Sequence, residues 1–512
     1  MIGTDNPLRL TTHRGTDGYP AWAPDGRSIA FLRMTSERTA AIYTVAPLGG
    51  SERKIADVAV SNFWYLGGGL CWSRDGKWIL SSDADSPGKP VHIVLVSSET
   101  GEKRKLTSGE GLGESNPALS PDNRTLAFSR RLTDAQSALF LVSLDAELKP
   151  KAPARQLRPA GPYNLTPAWT PDGKNLVFSS AGSDWVNSGR LWRVSISGDS
   201  LPAPIPQAAD GSCAPAVSPQ GKRLVFTRYF HDSNIWRIDV SGPGGQAGPP
   251  RQIVASTRED RYPIFSPDGG RIAFESSRSG GYGIWPANAD GSNPQPLIVG
   301  PGYWSGHPAW SPDGRTIAFE TTKDKQAEIY LINPEGGAPR RFTNHPSDDV
   351  APSWSRDGKW IYFTSGRTGR FEIWRVPATG GEAVQLTRNG GYAARESPDG
   401  RTLFFERYCP TSTADLPSLW KMPANGGEES KVLDRISSQN WSLGGQGLWL
   451  IKWDTGGQAV HFLEFATGQI RKIAPTGKPC ATGLDVSPDG RTILYSQIDS
   501  RGSELMLVEN FR

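Results

Sequence analysis

Apolar positions in this chain come in short runs with strand character, and the runs are paired around a fixed turn. Residues 307–321, HPAWSPDGRTIAFET, show the unit most clearly. Ser311-Pro312-Asp313-Gly314 reads as a tight turn: Pro presets φ, Asp can hydrogen-bond back to the backbone, and Gly takes a left-handed conformation without steric cost. Pro308-Ala309-Trp310 precedes it, and the β-branched and aromatic run Thr316-Ile317-Ala318-Phe319 follows. Two short strands around an Asp-Gly turn predict a β-hairpin.

The hairpin recurs along the chain, with turns at Asp25, Asp75, Asp122, Asp172, Gln220, Asp268, Asp313, Asp357, Asp399 and Asp489, and a degenerate copy at Trp441-Ser442-Leu443-Gly444. Each hairpin is followed by a third apolar run, a Gly-rich turn and a short fourth run. Glu328-Ile329-Tyr330-Leu331-Ile332 and Arg341-Phe342-Thr343 are one example, and Glu372-Ile373-Trp374 with Gln385-Leu386-Thr387 another. A repeat of about 40–50 residues with four short strands is the pattern of a β-propeller, in which neighbouring sheets bury each other's faces. The expected fold is all-β: tandem β-propellers of four-stranded antiparallel blades, about eleven in all, five plus six.

Turn spacing divides the repeats. Successive turns lie 47–50 positions apart from Asp25 to Gln220 and 42–45 apart from Asp268 to Asp399. Between the two sets lies Ser241-Gly242-Pro243-Gly244-Gly245-Gln246-Ala247-Gly248-Pro249-Pro250, the most linker-like stretch. The expected domains are therefore 1–245, with five full units, and 250–512, with six. Leu8-Arg9-Leu10 reads as a fourth strand without its first three, so an upstream blade belonging to a longer parent is one expectation. Separate closure of each ring would pair Leu8–Leu10 with residues 234–238, and Arg251–Val254 with Leu505–Val508.

Composition narrows the classes. A length of 512 residues favours at least two domains. Formal net charge is +4, and no Lys/Arg run marks a nucleic-acid footprint, so direct nucleic-acid binding is not expected. No apolar stretch is long enough to span a membrane, and the first residues lack the pattern of a signal peptide. Cys71, Cys213, Cys409 and Cys480 show no metal-ligand spacing, and Cys71 replaces an Ala at a core position. No cofactor or metal is expected. The turn aspartates have a structural reason to be Asp and are read as turn residues rather than metal ligands.

These repeats resemble the TolB-type propeller, a WD-repeat-like family marked by the SPDG(R/K)xIAF hairpin, and the resemblance covers nearly the whole chain. It also extends to the propeller half of large bacterial proteins with a winged-helix domain and one membrane helix upstream. The resemblance implies a periplasmic or extracytoplasmic location. It further implies a non-catalytic scaffold that binds a protein or peptide partner, with a small ligand as another possibility. Two alternatives stay open: the sensor region of a membrane-linked winged-helix transcription regulator, and a propeller hydrolase or lyase with its site in the channel.

No G-x-S-x-G, H-E-x-x-H or P-loop motif occurs. Candidate binding residues are aromatic and charged side chains expected on the loops joining second to third and fourth to first strands, a surface type enriched at interfaces. They are Trp64, Tyr65, Trp185, Tyr229, His231, Tyr303, Trp304, His307 and Tyr408. Arg395 and Glu396 join them, because a charged pair there replaces the small residue and aromatic of other copies. Both a buried ion pair near the channel and an exposed rim are consistent with it.

Overall fold

A computed structural model describes residues 9–511 except 37–38, 61–68, 87–88, 134–135, 162, 182–188, 198–199, 209, 301–302, 325 and 408–416. The described chain is all-β, in ten antiparallel sheets, most of them four-stranded. Among the described residues no helix is long and apolar enough to cross a membrane. Two compact units emerge, residues 1–229 with 503–512, and residues 230–502.

The repeated hairpin forms as its sequence dictates. Ser305–Trp310 pairs with Ile317–Thr321, which pairs with Glu328–Ile332, which pairs with Arg340–Arg341. In the turn, Ser311 Oγ donates to Asp313 Oδ1 at 2.5 Å, and the same oxygen accepts the Arg315 N–H at 3.1 Å. The Gly314 N–H closes the turn on the Ser311 carbonyl at 2.8 Å, with Gly314 at φ +70°. The same hydroxyl-to-carboxylate contact recurs at Asp122, Asp172, Asp268, Asp357, Asp399 and Asp489. These carboxylates are thus turn residues, and the degenerate copy also forms a hairpin, Trp441 opposite Leu450.

Packing between sheets follows the same repeat. The phenylalanine within several second strands, such as Phe274, Phe319, Phe363 and Phe405, is fully buried, and Phe→Ala at such a site costs about 3–5 kcal/mol. Two first-strand tryptophans donate to the preceding sheet: Trp354 Nε1 to the Ala309 carbonyl at 3.2 Å, and Trp169 Nε1 to the Ala118 carbonyl at 2.9 Å. Cys71 behaves as a packing residue, and burial pushes its thiol up to about 11.

Closure differs from the pairing expected above. Arg251–Val254 pairs with residues 235–237 and not with 505–508. Residues 241–246 are a turn within that hairpin, the Ser241 N–H donating to the Gln246 carbonyl at 2.9 Å, so Gly and Pro mark a turn there. Arg9 and Leu10 lie outside any strand, and Leu8 is outside the described residues. The reason is that two long strands, Arg223–Asp239 and Thr492–Glu509, are continuous where a loop was expected. Arg228-Tyr229-Phe230-His231 contains no Gly or Pro to break the strand and has β-favouring aromatics. In the first unit, 223–229 is joined by the chain's last strand, with Arg223 3.6 Å from Glu509 and Phe511 buried beside Leu224 and Phe226. In the second unit, residues 230–239 and 251–254 share a sheet with 480–486 and 492–502. Asn234 Nδ2, Trp236 Nε1 and Gln252 Nε2 all donate to Asp499 Oδ2, at 2.9, 3.1 and 3.0 Å.

Asp499→Ala removes a shared acceptor and should destabilise the second unit by about 1.5–3 kcal/mol, read by urea unfolding. A loss within error of zero would show that the closing sheet does not depend on it. The carboxyls of Asp122, Asp172, Asp268, Asp313, Asp357, Asp399 and Asp489 are held low, first by the Ser or Thr hydroxyl and then by a backbone N–H. A depressed folded-state pKa contributes stability above the unfolded value, lost as pH falls through the folded one. Melting temperature should therefore drop steadily below about pH 4; a flat profile down to pH 2 would contradict it.

Candidate functional site

The second unit is organised around one residue per sheet in left-handed conformation. Tyr262, His307, Ala351, Ala393 and Gln439 have φ between +49 and +55° or, for His307, +48°, and Gly483 has +114°. In five of these strands the ladder slips at this point, between Arg261 and Ile264, Gly306 and Ala309, Val350 and Ser353, Tyr392 and Arg395, and Cys480 and Leu484. Proline follows Tyr262, His307 and Ala351, and its missing N–H explains the break in the ladder there. At three of these positions a second-strand side chain of the neighbouring sheet accepts the N–H of the left-handed residue. Glu406 Oε1 takes the Gln439 N–H at 2.5 Å, Thr364 Oγ1 takes that of Ala393 at 3.1 Å, and Glu320 takes that of Ala351.

These bulges surround a cavity of about 720 Å³ whose lining runs from the left-handed residues to the SPDG turns, including Pro267, Pro312, Pro398 and Pro488. Polar side chains on its wall include Tyr262, His307, Arg356, Arg395, Glu396, Gln439 and Asp485. His307 and Gln439 come from sheets three apart in chain order, yet His307 Nε2 lies 2.6 Å from Gln439 Oε1. His307 Nδ1 lies 2.8 Å from Glu320 Oε1, and the Tyr262 ring sits 4.3 Å from the imidazole. Gly483 is obligatory beside Tyr262, since a Cβ there would lie 2.6 Å from Tyr262 Cα.

The electrostatics follow from this burial. Burial works against a charged His307, but Glu320, Glu275 and the Gln439 hydrogen bond outweigh it, so its pKa is raised. Nδ1 faces Glu320 Oε1 and Nε2 faces Gln439 Oε1, an arrangement in which the imidazolium donates at both nitrogens. Burial raises Asp485, opposed by Arg395, by Ser442 Oγ at 2.7 Å and by the Phe265 N–H at 2.9 Å. Burial likewise lowers Arg395, with Asp485 and Glu406 opposing it.

Of the residues singled out from the sequence, His307, Arg395 and Glu396 line this cavity. Arg395 and Glu396 do not pair with each other, because adjacent strand residues point in opposite directions. Arg395 Nη1 instead lies 3.9 Å from Asp485, while Glu396 accepts from Tyr362 Oη at 2.8 Å and from the Arg356 N–H. Trp304 is close by, its Nε1 donating to Glu275 at 3.0 Å, whereas Tyr303 borders a separate cavity of about 120 Å³. His231 Nδ1 meets Glu259 at 3.0 Å. Tyr229 belongs to the first unit and is 43% exposed. Trp64, Tyr65, Trp185 and Tyr408 lie outside the described residues. Sequence reading missed Tyr262, Gln439 and Asp485, and the buried acids Glu275, Glu320 and Glu406. A glutamate directly after the core phenylalanine, in a strand otherwise apolar, was the available signal.

Residues 297–414 match the TolB beta propeller domain. Over 160 residues the chain is 31% identical to the uncharacterized peptidase YuxL of Bacillus subtilis, covering 24% of this chain and 23% of that protein. Over 264 residues it is 26% identical to the uncharacterized protein Atu1656 of Agrobacterium fabrum, covering 50% of this chain and 83% of that one. Among solved structures, TolB from Acinetobacter baumannii aligns with a TM-score of 0.38 at 13% identity, covering 76% of this chain and 84% of its own. The TolB-matching segment contains His307, Ala351, Ala393, Arg395 and Glu396, so about half of the axial positions fall inside it.

The raised pKa of His307 predicts a pH signature. A raised folded-state pKa contributes stability that is complete below the unfolded value, about 6.5, and is lost as pH rises through the folded value. The stability gap between wild type and His307→Asn should narrow between pH 6 and 9, read by chemical unfolding. A gap constant across that range would show that His307 is not charged.

Proposed function

We propose that this chain is a binding module and that the axial cavity of the second unit is its ligand-facing site. The observation supporting this is how the cavity's acid and base groups are used. His307 is held by Glu320 and Gln439, Glu396 by Tyr362 and the Arg356 N–H, and Asp485 by Ser442 and the Phe265 N–H. Groups committed to holding sheets together are poorly placed to exchange protons with a substrate, yet they make a rigid, preorganised wall. The volume is that of a typical small-ligand or peptide-terminus pocket. A protein partner is part of the same reading, with His231, Tyr303 and Trp304 as candidate contacts on the second unit and Tyr229 on the first.

Gly445 provides the test. It lines the cavity, its φ is not left-handed, and a Cβ there would meet nothing within 4 Å. Gly445→Trp should fold normally while occluding the space. In a thermal-shift panel of organic acids, short peptides and oligosaccharides, at least one compound should stabilise wild type and leave Gly445→Trp unmoved. Equal shifts in both proteins, or turnover without saturable binding at the cavity, would overturn the reading.

A further inference from the structure

Arg395 stands where the corresponding first strands carry Ile264, Ala309 and Ser353. Its side chain is 31% exposed and lines the cavity among Phe265, Trp354 and Leu443. One of its donors, on Nη1, reaches the Trp441 carbonyl at 3.0 Å, and the Trp441 ring lies 5.3 Å from the guanidinium. Nε and Nη2 have no hydrogen-bond partner among the described residues. Asp485 does not supply one, since its nearer contact is 3.9 Å and both of its oxygens are engaged by Ser442 and Phe265. Glu396 is engaged elsewhere as well. Arg356, also lining the cavity, carries a side chain with no hydrogen bond or ion pair among the described residues. The Nε–H and Nη2–H edge of Arg395 is therefore a planar pair of donors, partly desolvated and without a hydrogen-bond partner among the described residues, in a cavity that also has apolar wall residues.

We propose that this cavity takes a ligand bearing a single carboxylate, bound by the Nε–H and Nη2–H edge of Arg395, with an apolar body against Trp354 and Phe265. The parallel donors of a guanidinium edge match a carboxylate's two oxygens, and such a contact is charge-assisted. A phosphate offers tetrahedral rather than planar oxygens, so it matches the two parallel donors of the guanidinium edge less closely than a carboxylate does. The assignment rests on the cavity being the binding site, and a free organic acid and a peptide C-terminus share the recognised chemistry.

The test uses the full chain and calorimetric titration with 3-phenylpropanoate, its primary amide, a tripeptide ending in Phe, the same tripeptide amidated, and inorganic phosphate. The free acid, the free-terminus tripeptide or both should bind, and the matching amides should bind about tenfold or more weakly, the size of losing charge-assisted hydrogen bonds. Whichever binds identifies the source. Arg395→Gln should weaken acid binding by a similar factor and leave the amide unchanged. Arg395→Lys, which keeps the charge but not the fork, should recover only part of it, with circular dichroism and melting checking that both variants fold. Equal binding of acid and amide, equal binding by Arg395→Gln, tighter binding of phosphate, or no binding of either acid would overturn the assignment. A neutral compound that binds wild type and is lost in Gly445→Trp would leave the cavity standing as a binding site while this assignment fell.

Discussion

The second unit depends on one contact made repeatedly: the backbone N–H of a left-handed residue, outside the regular ladder, is accepted by a side chain of the neighbouring sheet. Glu320 to Ala351, Thr364 to Ala393 and Glu406 to Gln439 are its instances there. The contact satisfies a donor that would otherwise be buried without a partner. It also fixes a non-glycine residue in a left-handed conformation, a strained state that persists only where the surroundings determine it. Ser179 accepting the Ala214 N–H at 3.1 Å shows the same device in the first unit, with a hydroxyl in place of the carboxylate.

That substitution of acceptor has a consequence for the axis. A hydroxyl leaves it neutral, whereas Glu320 and Glu406 bring buried negative charge to it. His307 answers Glu320 directly, and Arg395 lies near enough to Glu406 for each to favour the other's charged form. The cations at the axis are therefore explained by the acids that pin the sheets. His307 is fully consumed by this role. Arg395 is not, and the surplus of donors makes it the more informative residue.

The hairpins, the turn aspartates and the all-β class were legible in the sequence, because each is set by near neighbours along the chain. SPDG reads as a turn from local chemistry alone, and the strand after it reads from alternation and β-branching. His307, Arg395 and Glu396 were also visible, as polar side chains at places the repeat usually gives to small or aromatic ones. Ring closure was misread for the same local reason: a Gly-Pro-rich segment looks alike whether it joins domains or turns a hairpin.

What only the tertiary structure decided is which distant residues meet. Nothing local to Asp499 announces that Asn234, Trp236 and Gln252 will share its carboxylate, nor does Gln439 announce that it faces His307. Those meetings are set by sheets separated by more than a hundred residues being brought round one axis, and a repeat pattern carries no record of which copy stands opposite which. The sequence by itself determined the repeating unit, since its turn and strand preferences are local. The structure decided the site, since a cavity walled by one residue from each of several sheets exists only once those sheets have packed.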